Sequence, residues 1–222
     1  MKTVFLLDMD ETLLDFPQAE RENLRRTLGD FGLEADGRLC ARFHEINDGL
    51  WKELERGKIA RERLKERRFE LLFGEYGVSA DIPAVARRYY QNFLHICIPY
   101  EGAAAFLREL SARGRVYIVT NGGADIQHAH MRDAGFLPYL AGAFISEEIG
   151  ADKPSEEYVR HVREGIEGFD PARTVYLGDS LTSDMVCAKR LGVDFILYAP
   201  AGAPRGYGGR SAKNYEEVLR SL

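Results

Sequence analysis

Six residues of this chain have side chains whose chemistry fits together: Asp8, Asp10, Thr120, Lys153, Asp179 and Asp184. Phosphoryl transfer needs a nucleophile, neutralisation of charge on the phosphoryl oxygens and a proton for the leaving group, and this set can supply all three. Four carboxylates brought to one place would repel one another strongly. That repulsion calls for a hard cation held by oxygen, with magnesium the candidate. Such a cation would also polarise a phosphoryl oxygen and shield an attacking anion from a dianionic phosphate.

These residues can meet only if a fold brings them together. Val4-Phe5-Leu6-Leu7 is a continuous apolar run of the kind expected of a strand buried on both faces, and it stops at Asp8. Val116 to Val119 stops at Thr120, Ala143 to Ile145 at Ser146, Val175 to Leu177 at Gly178-Asp179, and Phe195 to Tyr198 at Ala199-Pro200. Helical patterns separate the runs from residue 99 onward, including Ala103 to Arg113 and Ser183 to Leu191. Alternation of this kind predicts an α/β fold with a doubly wound parallel sheet. In such a sheet the ligand site lies beyond the carboxyl ends of the strands, where the polar residues sit. Residues 15 to 98 break the alternation with charged and apolar mixtures such as Gln18 to Leu28, Leu39 to Glu55 and Ala60 to Phe73, so an all-helical insertion is expected there. The core is then 1–14 with 99–222, and Pro99 marks the return to it. A loop from Ala201 to Gly206 and a short helix near Tyr215 to Leu219 complete the chain.

With 222 residues, 45% hydrophobic and 29% charged, the chain has the composition of an ordinary globular protein. A net charge of -5 offers no general attraction to nucleic acid or an anionic membrane, and neither is expected as a partner. The four apolar residues before Asp8 are too few for a signal peptide or a membrane span, so a cytoplasmic location is expected. Cys40, Cys97 and Cys187 are widely spaced and odd in number, which reads as reduced structural thiols. His128 and His130, two apart on a helical pattern, read as surface residues. The basic run from Arg56 to Arg68 reads as a solvated helix face with glutamate partners, and Trp51, Phe43 and Leu50 as core of the insertion. Asp184 has two readings, a helix cap or a support for the metal.

The segments Asp8-Met9-Asp10-Glu11-Thr12-Leu13-Leu14, Thr120-Asn121-Gly122, Lys153-Pro154 and Gly178-Asp179-Ser180-Leu181-Thr182-Ser183-Asp184 resemble, in order, the four motifs of haloacid dehalogenase superfamily phosphatases. The resemblance implies that Asp8 is the nucleophile and that Asp10 is the general acid for the leaving oxygen and then the base for water. It implies magnesium held by Asp8, the backbone carbonyl of Asp10 and Asp179. Phosphate contacts would come from Thr120, Asn121 and Lys153, with Asp184 supporting the metal from behind its direct ligands. Glu11 to Phe16 would form the family's flap, and residues 15–98 its first type of helical cap, which controls substrate access. More narrowly, Asn47, Leu50-Trp51, Gly57-Lys58-Ile59 and the block Ile145 to Pro154 are similar to bacterial pyrimidine nucleoside 5'-monophosphate phosphatases. That likeness implies a small phosphorylated metabolite as partner, a nucleoside monophosphate, and a monomer or homodimer. The alternatives are a phosphosugar or phosphoglycolate phosphatase or a phosphosugar mutase of the same fold. A non-enzymatic receiver-like domain phosphorylated on aspartate would be much shorter and lack the cap. A haloacid dehalogenase would normally lack Asp10.

Overall fold

In the computed structural model, residues 2–222 are described, and they fold as two compact units. One runs through Asp15 and resumes with Pro99–Leu222; the other is Phe16–Ile98.

The first unit is built on a six-stranded sheet of β1 (Val4–Leu7), β2 (Arg115–Thr120), β3 (Gly142–Ile145), β4 (Thr174–Gly178), β5 (Asp194–Tyr198) and β6 (Ser211–Ala212). The spatial order is β3-β2-β1-β4-β5-β6, and every pairing is parallel. Every residue of β1 is buried, which explains its unbroken apolar run. Successive side chains point to opposite faces. Val4, Leu6, Tyr117, Val119 and Tyr176 therefore share one face, where they pack with Tyr158, Val159 and Val162 of α8 (Glu156–Gly165) and Cys187, Ala188 and Leu191 of α9 (Asp184–Leu191). The remaining helices of this unit are α5 (Ala103–Arg113), α6 (Ala124–Asp133), α7 (Ser146–Ile149) and α10 (Tyr215–Ser221). Tyr215 of α10 stacks between Phe106 of α5 and Tyr198 of β5, with ring centroids 4.5 and 5.2 Å away. Strand order reverses between β1 and β4, so the crevice at a topological switch point opens beside Asp8 and Asp179.

The second unit contains four helices among the described residues: α1 (Phe16–Asp30), α2 (Gly37–Glu55), α3 (Arg61–Tyr76) and α4 (Ile82–Phe93). Asp36 and Asp81 cap α2 and α4 by accepting the N–H groups of Leu39 and Ala84. Phe43, Phe69, Phe73 and Tyr89 form its aromatic core with Leu24, Leu50 and Leu72, while Trp51 packs at its edge. A buried polar ladder ties α1 to α4: Asn92 donates to Thr27, Thr27 to Asn23, and Asn23 to the carbonyl of Tyr89.

Within the basic run, Arg63 and Arg67 pair with Glu70 at the surface. Arg68 departs from the expected solvated face. It is buried with its guanidinium 4.4 Å from the Tyr89 ring centroid, because α2, α3 and α4 surround it with Phe43, Phe69 and Tyr89. His130 is likewise buried rather than on the surface, since it shares the inner face of α6 with Gln127 and Met131, whereas His128 is exposed beside Glu148. Cys40 and Cys187 are buried free thiols, and Cys97 is half-buried. No described helix is long and apolar enough to cross a membrane.

Candidate active site

Each polar strand end now has a definite neighbourhood. Asp8 follows β1, its backbone N–H donating to Leu177 of β4 at 2.9 Å, which extends the β1 to β4 pairing by one step. Its side chain is buried, and Oδ1 accepts a hydrogen bond from Lys153 Nζ at 2.5 Å. The same ammonium donates to Asp184 Oδ1 at 2.8 Å and to the carbonyl of Val119 at 2.9 Å, so all three of its protons are directed. Burial works against the charge on Lys153, but Asp184 and Asp8 more than offset it and hold its pKa well above the usual lysine range.

Asn121 holds Lys153 in place from the neighbouring strand end. Its amide donates to the Lys153 carbonyl at 3.0 Å and accepts from the Lys153 N–H at 2.7 Å. The Asn121 side chain therefore clamps another residue's backbone. Thr120 ends β2, buried, with Oγ1 accepting the Gly122 N–H at 3.0 Å.

Asp184 is the first residue of α9 and does not cap it. Oδ1 accepts from Lys153 and from the Tyr176 hydroxyl at 2.9 Å, and Oδ2 accepts the Ser180 N–H at 3.1 Å. Nor does Ser183 cap by side chain; instead its N–H donates to Ser180 Oγ at 3.1 Å. Gly178 makes the inward turn of Asp184 possible, because a Cβ there would lie 2.4 Å from Asp184 Oδ2.

Asp8, Asp179 and Asp184 each offer an oxygen within 4.8 Å of the others. At that separation and an effective dielectric of about 20, two full charges repel by about 3 kcal/mol. Burial, only partly offset by Lys153 and reinforced by Asp184, pushes the Asp8 carboxyl up to about 8. Asp179 is raised well above the carboxylate range by burial, then by Asp8 and Asp184. Three carboxylates against one ammonium, all with oxygen donors, fit a hard divalent cation. Both oxygens of Asp184 already hold protein donors, which leaves Asp8 and Asp179 as the better supplied direct ligands.

Asp10 points elsewhere. Its Oδ2 accepts from Gln127 Nε2 of α6 at 2.8 Å, and burial raises its pKa against the opposing pull of His130 and this bond. The turn that follows is held by Leu13 and Leu14, whose N–H groups both donate to the Met9 carbonyl, and Glu11 takes a left-handed φ of 61°. A non-glycine residue in that region carries strain, which here sits next to the Asp10 carboxyl. Tyr215 braces the turn by donating to the Thr12 carbonyl at 2.9 Å.

Thus Asp8, Lys153, Asp179 and Asp184 come together at one charge cluster, Asn121 serves it through the Lys153 backbone, and Asp10 is held by α6. Gln127 and Tyr176 are members of the site that strand-end patterns do not single out. For Gln127 a usable signal existed, since it shares a helical face with His130 and Met131, three and four residues on.

Residues 2–192 match the family model described as haloacid dehalogenase-like hydrolase. The chain is 37% identical to the HAD-hydrolase YfnB of Bacillus subtilis over 90% of this chain and 85% of that one. It is 34% identical to the pyrimidine 5'-nucleotidase PynA of Streptococcus pneumoniae, over 88% and 83%. The crystal structure of YfnB bound to magnesium superposes with a TM-score of 0.93 at 32% identity, covering 100% of this chain and 98% of that one. An L-2-haloacid dehalogenase of Xanthobacter autotrophicus shares the fold at a TM-score of 0.77 and 19% identity, covering 99% and 98%.

Proposed function

Since the chain belongs to the haloacid dehalogenase-like hydrolase family and is a phosphatase, we propose that it is a magnesium-dependent phosphomonoesterase that works through an aspartyl-phosphate on Asp8. The observation that carries this reading is the Asp8 carboxylate at the switch point, one oxygen on Lys153 at 2.5 Å, with Asp179 alongside. Lys153 orients the carboxylate so that its other oxygen attacks phosphorus. As the Asp8 oxygen to phosphorus bond forms, the bond to the leaving oxygen breaks, and Asp10 delivers its proton to that oxygen. Asp10 then takes a proton from water, whose oxygen attacks the same phosphorus. Phosphate leaves and Asp8 is regenerated. Lys153, the Thr120 hydroxyl and the Asn121 backbone N–H stabilise the charge on the transferring oxygens. Magnesium, held by Asp8, Asp179 and the Asp10 carbonyl, would supply Lewis-acid neutralisation of the phosphoryl charge, with Asp184 bracing Lys153 behind it.

The substrate in this reading is a pyrimidine nucleoside 5'-monophosphate. The likeness to PynA supports it, together with the block from Ile145 to Pro154. Phe16–Ile98 acts as the cap that selects the leaving group. A phosphate-release panel with magnesium tests the proposal, comparing pyrimidine and purine monophosphates, phosphosugars and phosphoglycolate. Wild type is expected to prefer the pyrimidine nucleotides, and Asp8→Asn to lose about 10⁴-fold or more while remaining folded. An active Asp8→Asn protein, or full turnover in chelator, sinks the mechanism. Equal turnover of phosphosugars sinks only the nucleotide assignment.

A further inference from the structure

Gln127 is buried, and its side chain makes one hydrogen bond, from Nε2 to Asp10 Oδ2 at 2.8 Å. Its Oε1 is buried with no hydrogen-bond partner among the described residues. A side chain kept for stability would not leave a buried acceptor unpaired, because an apolar residue of the same length would avoid that cost. The neighbouring loop also makes room for this amide. A Cβ at Gly122 would lie 2.0 Å from Gln127 Nε2 and 2.6 Å from its Cδ, so the glycine after Asn121 is what admits the glutamine. Gln127 is in turn set by the start of α6, where its N–H donates to Gly123 at 2.9 Å and the Ala124 N–H donates to Glu147 Oε2 at 2.7 Å. A glycine of the β2 to α6 connection thus makes room for a glutamine of α6 that reaches a carboxyl following β1.

The donor is neutral, which matters for an acid that must part with a proton and recover it. A lysine or arginine at this distance would favour the ionised carboxylate. An amide N–H can donate to Oδ2 whether the carboxyl is charged or neutral, and by occupying Oδ2 it assigns the mobile proton to Oδ1. We propose that Gln127 is a positioning residue that fixes the orientation of Asp10 for proton transfer to the leaving oxygen, and that Gly122 is the opening through which it does so. This rests on the reading of Asp10 as general acid given above.

The test is the dependence on leaving group. p-Nitrophenolate departs from phosphorus with little need for an acid, whereas the alkoxide released from a nucleoside 5'-phosphate or from glycerol phosphate must be protonated. The measurement is kcat/KM on both ester classes for wild type, Gln127→Met, Gly122→Ala and Asp10→Asn, with melting temperature as a control on folding. Gln127→Met is expected to melt no lower than wild type and to reduce the alkyl-to-aryl ratio of kcat/KM by about tenfold or more. Gly122→Ala, which displaces the amide, should lower the ratio in the same direction. An unchanged ratio, within about twofold, for Gln127→Met beside a large fall for Asp10→Asn overturns the positioning role and leaves the phosphatase mechanism intact. An unchanged ratio for Asp10→Asn as well overturns the general-acid reading and the role of Gln127 with it.

Discussion

Each unit of this protein buries a charged cluster, and the two are balanced in opposite ways. In the helical unit Glu20 accepts from Asn47 Nδ2 and His44 Nδ1, both at 2.7 Å, and Asn47 Oδ1 in turn accepts from Arg68 at 3.4 Å. One carboxylate faces one guanidinium with an amide between them, and aromatic rings cover the cation. In the α/β unit three carboxylates surround one ammonium. A cluster in which the buried carboxylate and the buried guanidinium match one another can be sealed inside a fold. One with an excess of like charge remains under tension until a counter-charge arrives from outside, as expected at a site that takes up a cation.

The sharpest way to break the contrast is to remove the Lys153 ammonium of the α/β cluster. Lys153→Met should lower kcat by about 10²–10³-fold. It should also destabilise the chelator-treated protein by about 3–5 kcal/mol, because a buried pair loses one partner. Next in size is the response to metal. At a hundredfold excess over Kd, magnesium should stabilise by about 2.7 kcal/mol, a rise in Tm of about 5–10 °C, and Asp179→Asn should abolish it. The pH dependence has a definite sign. With its pKa raised from 3.8 to about 8, Asp8 keeps its proton when folded but loses it when unfolded. Its contribution to stability is complete below pH 3.8 and is lost as pH rises toward 8. In chelator, Tm should therefore fall across that window, and the rise on adding magnesium should be larger at the alkaline end. Equal rises at both ends would remove the argument from charge excess.

The balanced cluster predicts a comparable stability effect without a metal response. Glu20→Gln leaves Arg68 uncompensated and should cost about 3 kcal/mol, with Arg68→Met in the same chain recovering most of it. A double-mutant cycle on Tm measures the recovery, and simple additivity would show that the two charges do not compensate each other. The smallest effect concerns thiols. Burial pushes Cys187 up to about 12 and raises Cys40 as well, while Cys97 is half-buried. Alkylation followed by mass spectrometry should label Cys97 first, Cys40 next and Cys187 last. Early labelling of Cys187 would mean that the α/β unit opens more readily than the helical one.

Strands β1 to β5 were legible because burial on both faces writes itself as apolar runs, whereas β6 is two residues, Ser211 and Ala212, without a readable period. The fourth helix of the helical unit carried an Asp81 cap and Pro83 in its first turn, yet its mixed composition did not stand out. Asp8, Thr120 and Asp179 could be found because each stops a strand. The environment of Asp184 could not, since it depends on Lys153, Tyr176 and a glycine that leaves space, all of them separated in sequence. Arg68 was misread for a related reason: local spacing placed it among solvated basic residues, while the rings that enclose it come from three helices.

Leu14 and Pro99 form an antiparallel bridge, and the Tyr100 N–H donates to the Leu13 carbonyl at 3.0 Å. The chain thus departs from the α/β unit and re-enters it at adjoining points, clasped by main-chain bonds that involve no particular side chain. Whatever lies between those points can be lengthened, shortened or exchanged without altering the register of β1 against β2 and β4. In evolutionary terms the clasp makes the helical segment a replaceable cassette, exchangeable without disturbing the strands that carry the acidic cluster.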